Sequence, residues 1–150
     1  MGARSILIAL RSAINATPPI TWPDKTFRCH DGTRNTSPRA WIESPSRQLR
    51  DCDLSWETLP AQADGPCKLR GELAIRIAYR LEGPEDVRTA MVAEDIGRIA
   101  KYVVRDPSQW GGADTLWNID PPTVEDIDDE SGRPATTVVT IPLMVVYSED

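Results

Sequence analysis

Cys29 and His30 stand side by side in this sequence, and His30 is its single histidine. A thiol beside an imidazole is the pairing that activates a cysteine nucleophile, provided the fold adds a third group to orient the base. Here the pair sits between turn-forming residues and Asp31 follows it, so a surface loop accounts for it without catalysis. Zinc needs about four ligands at short fixed spacings. Cys29 and His30 with the distant Cys52 and Cys67 do not provide them. Asp126, Asp128, Asp129 and Glu130 before Gly132 resemble a calcium loop only superficially. A loop beginning at Asp126 requires its glycine where Ser131 stands and its bidentate glutamate where Thr137 stands. No phosphate-binding, dinucleotide-binding or nucleophile-elbow motif occurs. The reading is a protein without catalytic residues, metal or cofactor.

Five tryptophans, Trp22, Trp41, Trp56, Trp110 and Trp117, all fall outside the helical patterns described below. Tryptophan anchors protein interfaces, and it also fills a domain's own core beneath long loops. Charge separates the two halves of the chain. Residues 1–75 carry ten Lys/Arg against eight Asp/Glu, and residues 76–150 carry seven against fifteen. An acidic second half without a basic stripe excludes a protein that grips nucleic acid through its phosphates.

These residues must be positioned by a chain of 150 residues, the length of one domain, spanning 1–150. Three widely spaced cysteines do not form a disulfide framework and suit a reducing cytoplasm. No stretch is long and apolar enough for a membrane span, so no membrane partner is expected. Ile6, Leu10 and Ile14 repeat at helical spacing and predict a helix over 4–15, stopped by Pro18 and Pro19. Turn formers predict an irregular stretch over 17–39, with 21–38 mobile in the free subunit. A short strand is expected at 39–43, and 45–66 reads as loop again, making a long irregular region over 17–66.

Residues 68–82 alternate strictly. Leu69, Leu73, Ile75, Ile77, Tyr79 and Leu81 face one way, and Arg70, Glu72, Arg76, Arg80 and Glu82 face the other. That pattern predicts a half-buried antiparallel strand with one solvent-facing or partner-facing side. A helix follows from Gly83-Pro84-Glu85-Asp86 to Pro107, with Val92, Ile96, Ile99 and Val103 at helical spacing and Arg98, Lys101 and Arg105 near its far end. The last third predicts a hairpin. One arm runs over 115–128, broken at Pro121-Pro122, and the other over 135–147, apolar on both faces and therefore covered on both. Pro142 marks an edge or a bulge. The expected fold is α+β: an antiparallel sheet of about four strands, two packed helices and long loops.

This element order, with the terminal segment Thr136-Thr-Val-Val-Thr-Ile-Pro-Leu-Met-Val-Val-Tyr-Ser-Glu149, resembles the tail terminator (tail completion) proteins of long-tailed bacteriophages. The resemblance spans nearly the whole chain and rests on pattern and length; the long stretch 17–66 departs from it. It implies a homo-oligomer, a hexameric ring at the head-proximal end of the tail in the virion, assembled in the host cytoplasm. Its partners would be the tail tube protein and the head connector or neck protein, with genomic DNA passing unbound through an acidic lumen.

The alternating-sign face of Arg70, Glu72, Arg76, Arg80 and Glu82 is the expected subunit interface. Glu125, Asp126, Asp128, Asp129 and Glu130 form the expected partner-facing acidic turn. A head–tail connector subunit and a cytoplasmic inhibitor or adaptor module remain the alternatives. Because no credible ligand set is present, chelation is expected to leave folding and assembly unchanged. A melting temperature that drops in EDTA and returns with zinc or calcium would refute that.

Overall fold

The computed structural model describes residues 2–17, 28–29, 49–62, 68–80, 85–105, 116–127 and 136–148. The first helix, α1 (Ala3–Asn15), buries Ile6, Leu10 and Ile14, the three residues whose spacing predicts it. Its last turn is closed locally: Thr17 Oγ1 donates to Ala13 O at 3.1 Å, and Thr17 N donates to Ile14 O at 3.0 Å. Carbonyls left over at a helix end are thereby satisfied just before Pro18.

Six strands follow: β1 (Arg28–Cys29), β2 (Leu49–Gln62), β3 (Lys68–Arg80), β4 (Leu116–Ile119), β5 (Thr123–Ile127) and β6 (Thr136–Ser148). They form one sheet in the order β1-β2-β3-β6-β4, with β5 also paired to β6. The short β1 runs parallel to β2, and every other pairing is antiparallel. Between β3 and β4 lies the second helix, α2 (Glu85–Ile99), continued by a π-helical turn (Ala100–Val104). The class is α+β, as the sequence predicts.

The largest correction is β2. Residues 45–66 read as loop, yet 49–62 form a fourteen-residue strand. Cys52, Leu54 and Trp56 lie on one face with Asp51, Asp53, Ser55 and Glu57 between them, a period-2 pattern that the turn-forming residue types obscure. Partnership with β3 supplies the ladder that propensity does not. Pro60 falls where the register shifts between Thr58 and Ala61, so its missing N–H is lost at a bulge. Within the stretch read as irregular, Arg28–Cys29 form β1, paired with Asp51 and Cys52. The rest of 21–38, the short strand expected at 39–43, His30, Cys67, Trp22, Trp41 and Trp110 lie outside the described residues.

The predicted hairpin is present, with its outer arm divided. Leu116–Ile119 pairs with β6 opposite 143–146, and Thr123–Ile127 pairs opposite 136–140. Three residues, Asp120, Pro121 and Pro122, therefore oppose two, Ile141 and Pro142. Asp120 N donates to Pro142 O at 3.1 Å, so the N–H that Pro142 lacks would also have pointed at this bulge. Proline in an interior strand is tolerated because its neighbour is already broken there.

Both helices cover one face of the sheet. One cluster joins Ile6, Leu10 and Ile14 of α1, Met91 and Ile99 of α2, Leu73, Ile75, Ile77 and Tyr79 of β3, and Val139, Ile141, Leu143, Val145 and Tyr147 of β6. The buried line of α2 runs through Met91, Asp95, Ile99 and Val103, with Val92 and Ile96 only partly buried beside it. The predicted helical face is thus rotated slightly and has a carboxylate at its centre. Asp95 is buried and accepts a 2.9 Å hydrogen bond from Tyr79 Oη. On the other face of β6 Val138 is the only buried residue among those described, while Thr140, Pro142, Met144 and Val146 are half-buried. The expected cover on both faces of β6 is therefore full on the helix side and only partial on the other.

Gly71 holds the end of this core together by what it lacks. A Cβ there would lie 2.7 Å from Trp56 Cζ3 and 3.2 Å from Thr58 O. The indole lies over the glycine and reaches Tyr147, with ring centroids 6.1 Å apart. Gly71→Ala is expected to destabilise the protein by about 1–3 kcal/mol through overpacking. Urea unfolding of G71A, W56A and the double variant checks this: most of the penalty should disappear once Trp56 is removed.

Candidate functional site

The side of the sheet away from the helices is set by β3 alternation. Arg70, Glu72, Ala74, Arg76 and Ala78 point there, and the alanines are buried. Arg70 and Glu72 are exposed, and Arg76 is half-buried. Across the β3–β6 ladder Arg70 pairs with Val146, Glu72 with Met144, Ala74 with Pro142 and Arg76 with Thr140. A charged row therefore runs alongside an apolar, half-buried one.

Part of the charge is committed within the chain. Arg76 forms an ion pair with Glu57, and its Nη1 donates to Ser55 Oγ at 2.8 Å. Ser55 Oγ in turn donates to Glu57 Oε1 at 2.9 Å. Thr58 Oγ1 donates to Glu72 Oε2 at 3.1 Å. These contacts tie β2 to β3 on the exposed face and orient Arg76 and Glu72. Of the predicted interface residues, the structure brings Arg70, Glu72 and Arg76 onto one face. Arg80 ends β3 opposite Leu49, and Glu82 lies outside the described residues.

The acidic segment differs from the expected turn where it is described. Glu125 and Asp126 belong to β5, at the sheet's edge, and both are exposed. Strand alternation sends them to opposite faces: Glu125 opposes Val138 and Asp126 opposes Thr137, whose Oγ1 donates to Asp126 Oδ1 at 2.6 Å. Asp128, Asp129 and Glu130 lie outside the described residues.

A second charged surface was not singled out from sequence. Arg98, Lys101, Tyr102 and Arg105 lie along the outer side of α2 and its π-helical turn. Lys101, Tyr102 and Arg105 are exposed, and Arg98 is half-buried. The Arg98 guanidinium lies 5.3 Å from the Tyr102 ring centroid and the Lys101 ammonium 5.1 Å from it, both within cation–π range. The wider turn, in which Arg105 N donates to Ala100 O at 3.0 Å, lets Val103 and Val104 both be buried while Tyr102 points out. The sequence showed the basic residues at the helix end, where they also complement the dipole. It did not show the ring between them.

Trp56 packs partly buried against the domain's own core, which answers the tryptophan question at that position in favour of packing. Cys52 is fully buried in β2. Among the described residues no group of three or more His, Cys, Asp or Glu side chains is placed to hold a metal ion. Among them, too, no helix is long and apolar enough to cross a membrane. No protein-family model matches the chain, and no curated protein matches it.

The Arg76 network is a stability element that sits on the exposed face, which allows the two roles to be separated. Arg76→Met is expected to cost no more than about 1 kcal/mol in urea unfolding, because partly exposed ion pairs contribute little. If this face meets a partner, the same substitution is expected to weaken self-association measured by sedimentation.

Proposed function

We propose that this protein is a structural subunit that assembles into a ring, a hexamer by resemblance, closing a phage tail tube and joining it to the head connector. The observation that carries the reading is the asymmetry of the sheet. One face is sealed by α1 and α2, and the other presents Arg70, Glu72 and Arg76 beside the half-buried row Thr140, Pro142, Met144 and Val146. A charged row of mixed sign beside an apolar row is the composition of a protein contact surface, with complementary charge setting register and apolar area adding affinity.

The acidic balance of residues 76–150 supports a lumen that DNA traverses without being held. Glu125 and Asp126, exposed at the sheet edge, support a surface that excludes a further acidic tube ring or pairs with a basic connector. A ring that caps the tube must accept the last tube ring and refuse the next.

Deleting the gene from its phage is therefore expected to give overlong tubes and heads without tails in electron micrographs of lysates. Tails of normal length joined to heads would sink the terminator reading. Replacing Asp126, Asp128, Asp129 and Glu130 by Ser and Asn is expected to leave the fold intact and impair joining to heads, at the connector itself or through a weakened ring.

A further inference from the structure

We infer that the Arg98–Lys101–Tyr102–Arg105 stripe of one copy docks onto the acidic β4–β5 edge of a second copy, and that this head-to-tail contact links the ring. The inference rests on the proposal that copies assemble, not on which virion junction they occupy.

The stripe is a cationic surface with an aromatic centre. Tyr102 is 46% exposed, and the two cations over its ring hold their side chains close to it. Side chains ordered before binding lose less entropy on docking. The edge is its chemical counterpart. Asp120, Glu125 and Asp126 are exposed carboxylates, and Val124 among them is 60% exposed. Val124 offers apolar area to the Tyr102 ring, and the flanking carboxylates offer acceptors to Lys101 and Arg105. Among the described residues no ion pair joins stripe to edge within one copy. The two surfaces lie on different elements, so a contact between them joins unlike patches. Such heterologous contacts close into rings when the rotation allows and run into fibres when it does not.

A phosphate backbone could also be recognised by two or three cations around an aromatic ring. The second copy is favoured because the chain itself carries the matching acidic edge, while its net charge of −6 opposes nucleic acid at long range.

Two full-length variants test the contact: Lys101→Glu with Arg105→Glu, and Glu125→Lys with Asp126→Lys. All four side chains are exposed, and circular dichroism with melting curves verifies that each variant folds. Analytical ultracentrifugation and negative-stain images are expected to show wild-type assemblies that weaken as salt rises from about 0.05 M to about 0.5 M. Each variant alone is expected to lose assembly by about tenfold or more in midpoint concentration. An equimolar mixture of the two is expected to assemble again, because each reversed stripe meets a reversed edge. Both reversals combined in one chain should assemble too.

Rings that form equally well from each variant alone would overturn the contact and leave the ring proposal standing. A wild-type protein that stays monomeric at every concentration and on tail ends would overturn both. Duplex DNA binding that is lost in the stripe variant, with assembly intact, would assign the stripe to nucleic acid and overturn the inference.

Discussion

Everything described rests on β3 being paired along its length on both sides. Its thirteen residues run antiparallel to β2 on one edge and to β6 on the other. A strand held that way cannot slip by one residue without turning its whole apolar set to the opposite face. Leu73, Ile75, Ile77 and Tyr79 are therefore fixed toward the helices, and Arg70, Glu72 and Arg76 are fixed away from them. Each fully buried Leu or Ile contributes roughly 1.5–3 kcal/mol relative to exposure. The row on β3 and its five counterparts on β6 thus hold the register far more firmly than surface charges could. The Tyr79–Asp95 hydrogen bond works in the same direction. A buried carboxyl is tolerated only where it is hydrogen-bonded, so α2 must sit where Tyr79 Oη can reach Asp95.

Legibility follows from how much of the stabilisation is local. The helix α1, the strand β3, the extent of α2 and the inner arm of the C-terminal hairpin were readable because their apolar periods are long and unbroken, and the outer arm was readable, with its break, from Pro121-Pro122. β2 was not, since its order comes from β3. Asp51, Asp53, Ser55 and Pro60 each favour turns in isolation, and only a partner strand overrides them. The place of Gly71 was equally hidden: its reason is an indole from another strand, a contact that no spacing within residues 68–80 encodes. Asp95 was passed over because a carboxylate at a core position contradicts hydropathy, and its hydrogen-bond donor lies sixteen residues away.

The charged face shows the same division. That Arg70, Glu72 and Arg76 share a side is a consequence of period 2 and needed no structure. That Arg76 is bound to Glu57 and Ser55, while Arg70 stays exposed, depends on β2 and could not be read. The acidic residues were found, and the predicted arm over 115–128 already places Glu125 and Asp126 in a strand, which ends at Ile127. Glu125 and Asp126 are consequently split between the two faces of an edge. The basic stripe on α2 was visible as separate residues. Its coherence depends on the π-helical turn, which resets the spacing after Ile99 and sets Tyr102 between its cations.

The edge itself favours the proposed contact between copies running through side chains and not through added strands. An exposed edge strand with free ladder groups invites another strand to pair, and open-ended pairing yields aggregates. Here the β4–β5 edge is interrupted by Asp120-Pro121-Pro122, where two consecutive residues have no N–H to offer and the bulge bends the chain. On either side of that break the strands are four and five residues long, too short to template a long partner. The carboxylates of Glu125 and Asp126 then repel an identical edge approaching in kind. What the edge can still accept is a surface of opposite sign that does not demand its backbone. A helix carrying Lys101, Tyr102 and Arg105 on its outer side is such a surface. Blocking strand addition while leaving charge accessible thus favours the stripe-to-edge docking of unlike patches, the type of contact a closed ring of identical subunits requires.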